Sequence, residues 1–242
     1  MINKPVVLVT GASRGIGRAI TRKFADEGLS VALTARNPEK LQETADLITR
    51  QGGEDPLIIP ADLTDEQQIS KLVDRVIEQW GRIDVLVNNA GIGYLKPFTE
   101  LTVVEFKEMM AVNMTAVFSL TQKVVPYMMK RKNGVIINIA SLAGKNGFKL
   151  GTGYAASKWA LRGFAQCLML EVRDYDIRVV TIFPGSVDTE FNRGGLSPTA
   201  TPPANKMMPE DIAEVAVMAY RMPARTMVSE IDMRPTNPKK NS

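Results

Sequence analysis

The amino-acid sequence predicts an α/β protein built on a doubly wound parallel sheet. Short apolar runs rich in β-branched residues alternate along the chain with longer stretches of helical period. The apolar runs are continuous, as in strands that are covered on both faces, and glycine-rich or polar motifs follow several of them. Right-handed crossovers between parallel strands would bring those motifs together beyond the carboxyl ends of the strands.

The alternation predicts seven strands, with helices on both faces of the sheet, in a Rossmann-like arrangement. The predicted strands are 6–9, 30–34, 56–60, 83–88, 135–140, 177–183 and 227–233. The predicted helices are Ile16–Glu27, Pro38–Arg50, Glu66–Trp80, Val103–Lys130 and Tyr154–Arg173.

Neither an internal repeat nor a linker divides the chain, so we expect a single domain over residues 1–242. The segment 191–209 has four prolines and no sustained period. It therefore predicts a long irregular loop, and loops of this kind often act as lids. We expect it to be a substrate-binding lid within the domain.

Composition excludes several classes of protein. Hydrophobic residues make up 45% of the 242 residues and charged residues 23%, as in soluble globular proteins. The apolar runs are too short to cross a membrane, and the 30 basic and 26 acidic residues are scattered, which disfavours a nucleic-acid partner. The first residues do not resemble a signal peptide, and Cys167 is the single cysteine, so a cytoplasmic location is expected. The sequence contains no metal-ligand cluster.

The stretch TGASRGIG, residues 10–17, follows the first strand and opens the first helix. Its glycines at 11, 15 and 17 permit a tight turn and a close approach of the backbone, which suits a pyrophosphate at a helix N-terminus. The spacing is G-x3-G-x-G, not G-x-G-x-x-G, and taken alone it fits a purely structural turn equally well.

Two arginines indicate which dinucleotide would bind. The second strand ends at Thr34, and Ala35 and Arg36 come next, where an NAD-preferring protein typically carries a carboxylate for the ribose hydroxyls. Arg36, aided by Arg14 in the glycine turn, would instead form a fork around a 2′-phosphate. We therefore expect NADP(H) in preference to NAD(H). The alternative is that both arginines are solvated surface charges.

The chain contains no histidine, so another side chain must carry protons near neutral pH. Tyr154 and Lys158 are four residues apart in a helical stretch and share one face. A nearby ammonium is expected to lower the pKa of the phenol from about 10 toward working pH. Tyr127 and Arg131 have the same spacing, but only Tyr154 is preceded, thirteen residues earlier, by a serine at a strand end, Ser141.

Together these motifs resemble the short-chain dehydrogenase/reductase family in its single-domain form, from Val6 to about Thr189. The resemblance implies a catalytic set of Asn113, Ser141, Tyr154 and Lys158. It also implies homodimers or homotetramers. The cofactor contacts that it implies are Gly11, Ser13, Arg14, Gly15, Ile16, Gly17, Arg36, Asp62, Leu63, Asn89, Ala90, Gly91, Tyr154, Lys158, Pro184, Gly185, Val187 and Thr189. The amides of Asn88, Asn89 and Asn113 alternatively brace turns.

The activity that the resemblance implies is the reversible, NADPH-dependent reduction of a ketone or aldehyde carbonyl in a small molecule, as in carbonyl reductases. Tyr154 would donate the proton, Ser141 would polarise the carbonyl, and Lys158 would hold the nicotinamide ribose and stabilise the tyrosinate. Asn113 would position a water leading to Lys158.

Two alternatives remain open. One is a 3-oxoacyl-acyl-carrier-protein reductase, although MVSEIDMRPTNPKK replaces the glycine-rich ending usual in that branch. The other is a nonenzymatic NADP(H)-binding sensor, against which the intact four-residue set argues.

Overall fold

The computed structural model describes residues 4–191 and 206–237. Its seven strands are β1 Val6–Thr10, β2 Ser30–Thr34, β3 Leu57–Ile58, β4 Val85–Asn88, β5 Gly134–Ile139, β6 Ile177–Pro184 and β7 Glu230–Met233. They form one sheet, paired in parallel throughout, in the order β3-β2-β1-β4-β5-β6-β7. The strand order reverses between β1 and β4, so a crevice opens beyond their carboxyl ends.

Seven helices cover the sheet in the part of the chain that the structure describes. They are α1 Gly15–Asp26, α2 Pro38–Arg50, α3 Glu66–Trp80, α4 Val103–Met110, α5 Ala116–Arg131, α6 Thr152–Val172 and α7 Pro209–Arg221. Side-chain caps explain several helix ends, because Asn37 accepts a hydrogen bond from the Lys40 amide and Asp65 accepts from the Gln67 amide. Gly81, in the left-handed region at φ 70°, ends α3.

Two helices differ from the sequence prediction. The predicted helix 103–130 is helical throughout, but a π-helical turn at Ala111–Thr115 separates α4 from α5. Such single wide turns are common at functional sites, and this one contains Asn113. Helix α7 was not predicted. Its sequence carries ordinary start signals, with Pro209 in the first turn followed by Glu210 and Asp211.

The core lies on both faces of the sheet, as the continuous apolar strands predict. Along β1, Val7 and Val9 pack with apolar side chains of α1, α2 and α7, whereas Val6 and Leu8 pack with those of α3, α5 and α6. All four are fully buried. Burial of each such side chain stabilises the fold by about 1.5–3 kcal/mol. The packed sheet therefore holds the residues at its carboxyl edge in fixed positions.

No helix among residues 4–191 and 206–237 is long and apolar enough to span a membrane.

Candidate active site

The glycine-rich turn between β1 and α1 has a backbone that only glycine adopts easily. Gly11 and Gly15 have φ values of 64° and 52°, in the left-handed region. A Cβ atom on Gly17 would lie 2.2 Å from the carbonyl oxygen of Gly11. Arg14 precedes α1 without a side-chain cap, so the first amides of the helix have no side-chain acceptor. The turn therefore has the form of an anion cradle.

The polar stretch after β4 braces this turn. The Thr10 hydroxyl oxygen accepts hydrogen bonds from the Asn89 amide at 2.9 Å and the Ala90 amide at 3.0 Å. The Asn89 side-chain nitrogen donates to the Thr10 carbonyl at 2.8 Å and the Gly11 carbonyl at 3.2 Å. The side-chain amide of Asn89 thus braces the glycine-rich turn, as the structural alternative for this residue predicted. Thr10 is a supporting residue that was not predicted from the sequence.

The far end of the crevice carries a cluster of cations. Arg14, Arg36 and Lys40 all line it, and the sequence analysis missed Lys40. Lys40 lies in the first turn of α2, and its ammonium contacts Glu43 at 2.7 Å. Arg14 lies 3.4 Å from Glu190, which comes from the opposite wall.

Asp62 follows β3 and also lines the crevice. Its carboxylate accepts hydrogen bonds from the Thr64 amide at 2.9 Å and the Thr64 hydroxyl at 2.7 Å. These bonds, with a smaller contribution from the charge of Arg36, lower the pKa of Asp62, so the carboxylate is ionised and available as an acceptor.

The other end of the crevice brings together Ser141, Tyr154 and Lys158, all of which line it. Ser141 follows β5, and its hydroxyl oxygen accepts a hydrogen bond from the Ala143 amide at 3.1 Å. Tyr154 and Lys158 extend from α6, one turn apart. The buried Lys158 ammonium donates to the Ile139 carbonyl at 3.0 Å and lies 5.8 Å from the centre of the Tyr154 ring.

The titration of this pair differs from the sequence expectation. Burial raises the pKa of Tyr154 to about 12, and a hydrogen bond with Ser141 offsets only part of that rise. Burial also lowers the pKa of Lys158 to about 8. Desolvation therefore dominates the pKa of the phenol, and the Lys158 ammonium, 5.8 Å from the ring centre, donates to a backbone carbonyl instead.

Asn113 is fully buried and does not line the crevice. Its side-chain oxygen accepts from the Ile92 amide at 2.8 Å, and its nitrogen donates to the Ile92 carbonyl at 2.8 Å and the Ser157 hydroxyl at 2.9 Å. Ser157 in turn donates to the Tyr154 carbonyl at 2.8 Å. The Asn113 amide thus ties the segment after β4 to α6, and Ser157 is a second supporting residue that the sequence analysis missed.

Every predicted site residue except Asn113 lines one cavity of about 600 Å³. This volume lies within the range of about 300–1,000 Å³ that is usual for small-molecule and cofactor sites. The glycine cradle, the uncapped start of α1 and the cation cluster are what a phosphorylated dinucleotide requires, so the residues fit NADP(H). The part of the chain that the structure describes has no group of three or more side chains suited to a metal ion.

The crevice also has apolar lining residues, among them Ile92, Leu95, Val112 and Phe191. The ring of Phe191 lies 5.7 Å from that of Tyr154. Phe191 also begins the expected lid, of which residues 192–205 lie outside the described residues. At the start of the second described range, Met207 forms a β-bridge with Val187, and Lys206 lies 3.4 Å from Asp188.

Comparisons with known proteins agree on one family. The family model for short chain dehydrogenases matches residues 5–197. The sepiapterin reductase of Chlorobaculum tepidum is 35% identical over 241 residues, which covers 97% of each chain. An uncharacterized oxidoreductase of Staphylococcus saprophyticus is 36% identical over 232 residues, which covers 95% of this chain and 97% of the relative.

Solved structures give the same result. A metagenomic short-chain oxidoreductase in complex with NADP is 37% identical, with a TM-score of 0.84 and coverage of 96% of this chain and 97% of that one. An actinorhodin polyketide ketoreductase with NADPH is 30% identical, with a TM-score of 0.89 and the same coverage of both chains.

Proposed function

The chain belongs to the short-chain dehydrogenase/reductase family of oxidoreductases, and from that premise we propose that it reduces a ketone or aldehyde to an alcohol with NADPH. One observation carries the proposal. Ser141, Tyr154 and Lys158 line the same cavity as the glycine cradle and the cation cluster. A proton donor and a dinucleotide site therefore share one crevice, as carbonyl reduction requires.

Four groups of residues are assigned to the parts of the cofactor. The backbone of Gly11–Gly17 would hold the pyrophosphate, and Arg14, Arg36 and Lys40 would hold the 2′-phosphate. Asp62 and Leu63 would contact the adenine, and the segment 184–189 would lie against the nicotinamide. When bound, NADPH supplies the hydride that reduces the carbonyl carbon. The NADP-bound and NADPH-bound relatives support this assignment.

The protein's own groups handle the carbonyl oxygen. Ser141 donates a hydrogen bond that polarises the carbonyl, and Tyr154 transfers its phenolic proton to the same oxygen, which leaves the alcohol product and a tyrosinate. The charge of Lys158 stabilises that tyrosinate. Asn113 acts at a distance, since its amide fixes α6 to the segment after β4. The proposal also includes a water that Asn113 positions and that leads to Lys158.

The direct test measures NADPH oxidation by its change in absorbance. The substrates are a panel of ketones, diketones, quinones and 3-oxoacyl thioesters, and NADH is the comparison cofactor. Turnover with any member supports carbonyl reduction and identifies a substrate class. NADPH binding without turnover on the whole panel would favour the sensor. Turnover confined to 3-oxoacyl thioesters would favour the carrier-protein reductase. The proposed reaction is reversible, because the same residues serve alcohol oxidation.

The pH dependence of reduction should follow Lys158. Its pKa of about 8 means that the ammonium is present at neutral pH and lost as the pH rises through that value. Tyr154, with a pKa of about 12, keeps its proton over the same window. The value of kcat/KM for NADPH, which reports the free enzyme, should therefore be level near neutral pH and fall above about pH 8.

The Lys158→Arg variant is the control for this profile, because a guanidinium stays charged in this range. Whatever activity it retains should show no decline near pH 8. A profile of the unsubstituted protein that stays level up to the ordinary lysine pKa of 10.5 would contradict the assignment of Lys158.

The expected homo-oligomer has a candidate surface on α5 and α6. Phe118, Trp159 and Leu170 are 44%, 48% and 58% exposed. The rings of Phe118 and Phe164 join the two helices in an edge-to-face contact at 6.0 Å. Exposed aromatic side chains grouped in this way favour burial against a second copy. Light scattering of the unsubstituted protein and of Trp159→Glu would measure the mass with and without this surface.

A further inference from the structure

The edge strand β7 carries a charged side chain that joins it to two elements of the active site. Glu230 accepts hydrogen bonds from the Arg162 guanidinium at 2.8 and 3.1 Å and from the Gln166 amide at 2.9 Å, and both donors belong to α6. On its other side Glu230 lies 2.7 Å from the Lys145 ammonium, which comes from the segment after β5. Asp232 lies 2.7 Å from the same ammonium.

These ion pairs are partly shielded from water. The side chains of Glu230 and Lys145 are 21% and 19% exposed, and the Lys145 ammonium lies 4.2 Å from the centre of the fully buried Phe183 ring. Bidentate arginine–carboxylate pairs have a fixed geometry, unlike mobile surface pairs. The contacts to Arg162, and then those to Lys145 and Gln166, lower the pKa of Glu230 to about 2, so the carboxylate is ionised at any working pH.

Lys145 is four residues after Ser141, and a compact turn links them. The Ser141 hydroxyl oxygen accepts from the Ala143 amide, and the Ser141 carbonyl accepts from the Gly144 amide at 2.8 Å. The Lys145 amide donates to the Leu142 carbonyl at 3.0 Å. Because these hydrogen bonds hold residues 141–145 in one compact turn, a displacement of Lys145 would also displace Ser141.

The same turn rests directly on the catalytic helix. A Cβ atom at Gly144 would lie 2.8 Å from the Lys158 carbonyl oxygen, so the turn and α6 are as close as a glycine allows. Arg162 is one helical turn beyond Lys158 on the same face of α6. The Ser141 turn is thus held to α6 at two successive turns, once by backbone packing and once through Glu230.

We propose that Glu230 is a positioning residue which, through Lys145 and Arg162, sets the place of the Ser141 hydroxyl relative to Tyr154. This inference rests on the proposed carbonyl reduction and extends it to the C-terminal strand. Glu230 does not line the cavity, so its effect reaches the Ser141 hydroxyl through its contacts with Lys145 and with α6. A displacement of a reacting group by a fraction of an ångström lowers the rate of the chemical step more than it weakens cofactor binding.

The test compares Glu230→Gln, Glu230→Asp and Lys145→Met with the unsubstituted protein. Glu230→Gln keeps the size and removes the charge, and we expect it to lower kcat roughly tenfold with the dissociation constant of NADPH unchanged. Lys145→Met breaks the same link from the other end and should act in the same direction. Glu230→Asp retains the charge and should lose less. Glu214→Gln, which removes the exposed Lys23–Glu214 pair, is the matched control and should leave kcat unchanged.

Two further readouts separate positioning from a general loss of stability. In a Ser141→Ala background, Glu230→Gln should change kcat by less than about twofold, because a residue that acts through Ser141 has nothing left to position. Hydrogen exchange at the amides of 143–146 should become faster in Glu230→Gln, and this readout needs no substrate.

Equal losses with and without Ser141, or unchanged kcat in Glu230→Gln, would overturn the positioning role while leaving carbonyl reduction intact. Unchanged exchange in the turn would overturn it even if no substrate is turned over. Absence of turnover by the unsubstituted protein would count against the proposed function, but not against the positioning of the Ser141 turn by Glu230.

Discussion

Replacing Tyr154 by phenylalanine should lower kcat for carbonyl reduction by about 10³-fold and leave NADPH binding within about twofold of its starting value. The substitution keeps the ring, which packs 5.7 Å from Phe191, and removes only the hydroxyl that carries the proton. The chain contains no histidine that could carry the proton in place of Tyr154. Steady-state kinetics and a fluorescence titration with NADPH would measure the two quantities.

Tyr127→Phe is the matched control for this variant. Tyr127 stands four residues before Arg131 on α5, so it repeats the tyrosine-to-cation spacing of the catalytic pair, but it is partly buried against the core on one face of the sheet and does not line the crevice. We expect its kcat to be unchanged. Full activity in Tyr154→Phe would remove Tyr154 from the role of proton donor.

Replacing Arg36 by aspartate should change the NADPH-to-NADH preference by about 100-fold, nearly all of it through weaker NADPH binding. A charge-assisted hydrogen bond to phosphate contributes about 1.5–3 kcal/mol, and the new carboxylate adds repulsion toward the 2′-phosphate. Arg14 and Lys40 remain in the same cluster, so binding is weakened and not abolished. The ratio of kcat/KM for the two cofactors measures the effect.

Arg75→Asp serves as the control, because this substitution makes the same change of charge away from the crevice. Arg75 lies on α3 and pairs with Glu78 at 3.3 Å. An unchanged cofactor preference in Arg36→Asp would refute the 2′-phosphate assignment. A comparable change in Arg75→Asp would show that the effect comes from net charge.

The sequence predicted the sheet and most of the crevice because the relevant information is local. Continuous apolar strands such as 135–140 can only be buried on both faces, and parallel strands bring their carboxyl ends to one edge. Ser141 and the glycine turn follow two of those strands and therefore meet. The spacing of Tyr154 and Lys158 needed only the helical period.

What the sequence did not predict depends on tertiary contacts. The π turn that places Asn113 has no clear local signal, and the roles of Thr10 and Ser157 as hydrogen-bond partners require knowledge of which segments are neighbours. The rise in the Tyr154 pKa follows from burial, which cannot be derived from helical spacing. Helix α7 is different, because it has a local start signal, Pro209 followed by acidic first-turn residues, which the prediction of a loop over 191–209 overlooks.

The measurement that tests the central claim most directly is isotope transfer from NADPH that carries deuterium at both hydrogen positions of its reactive ring carbon. The protein is incubated with this cofactor and a ketone from the panel, and the alcohol is analysed by mass spectrometry. Direct hydride transfer predicts deuterium on the carbinol carbon of the product, in proportion to the NADPH consumed. Alcohol formed without deuterium, or NADPH consumed without alcohol, would contradict the proposal.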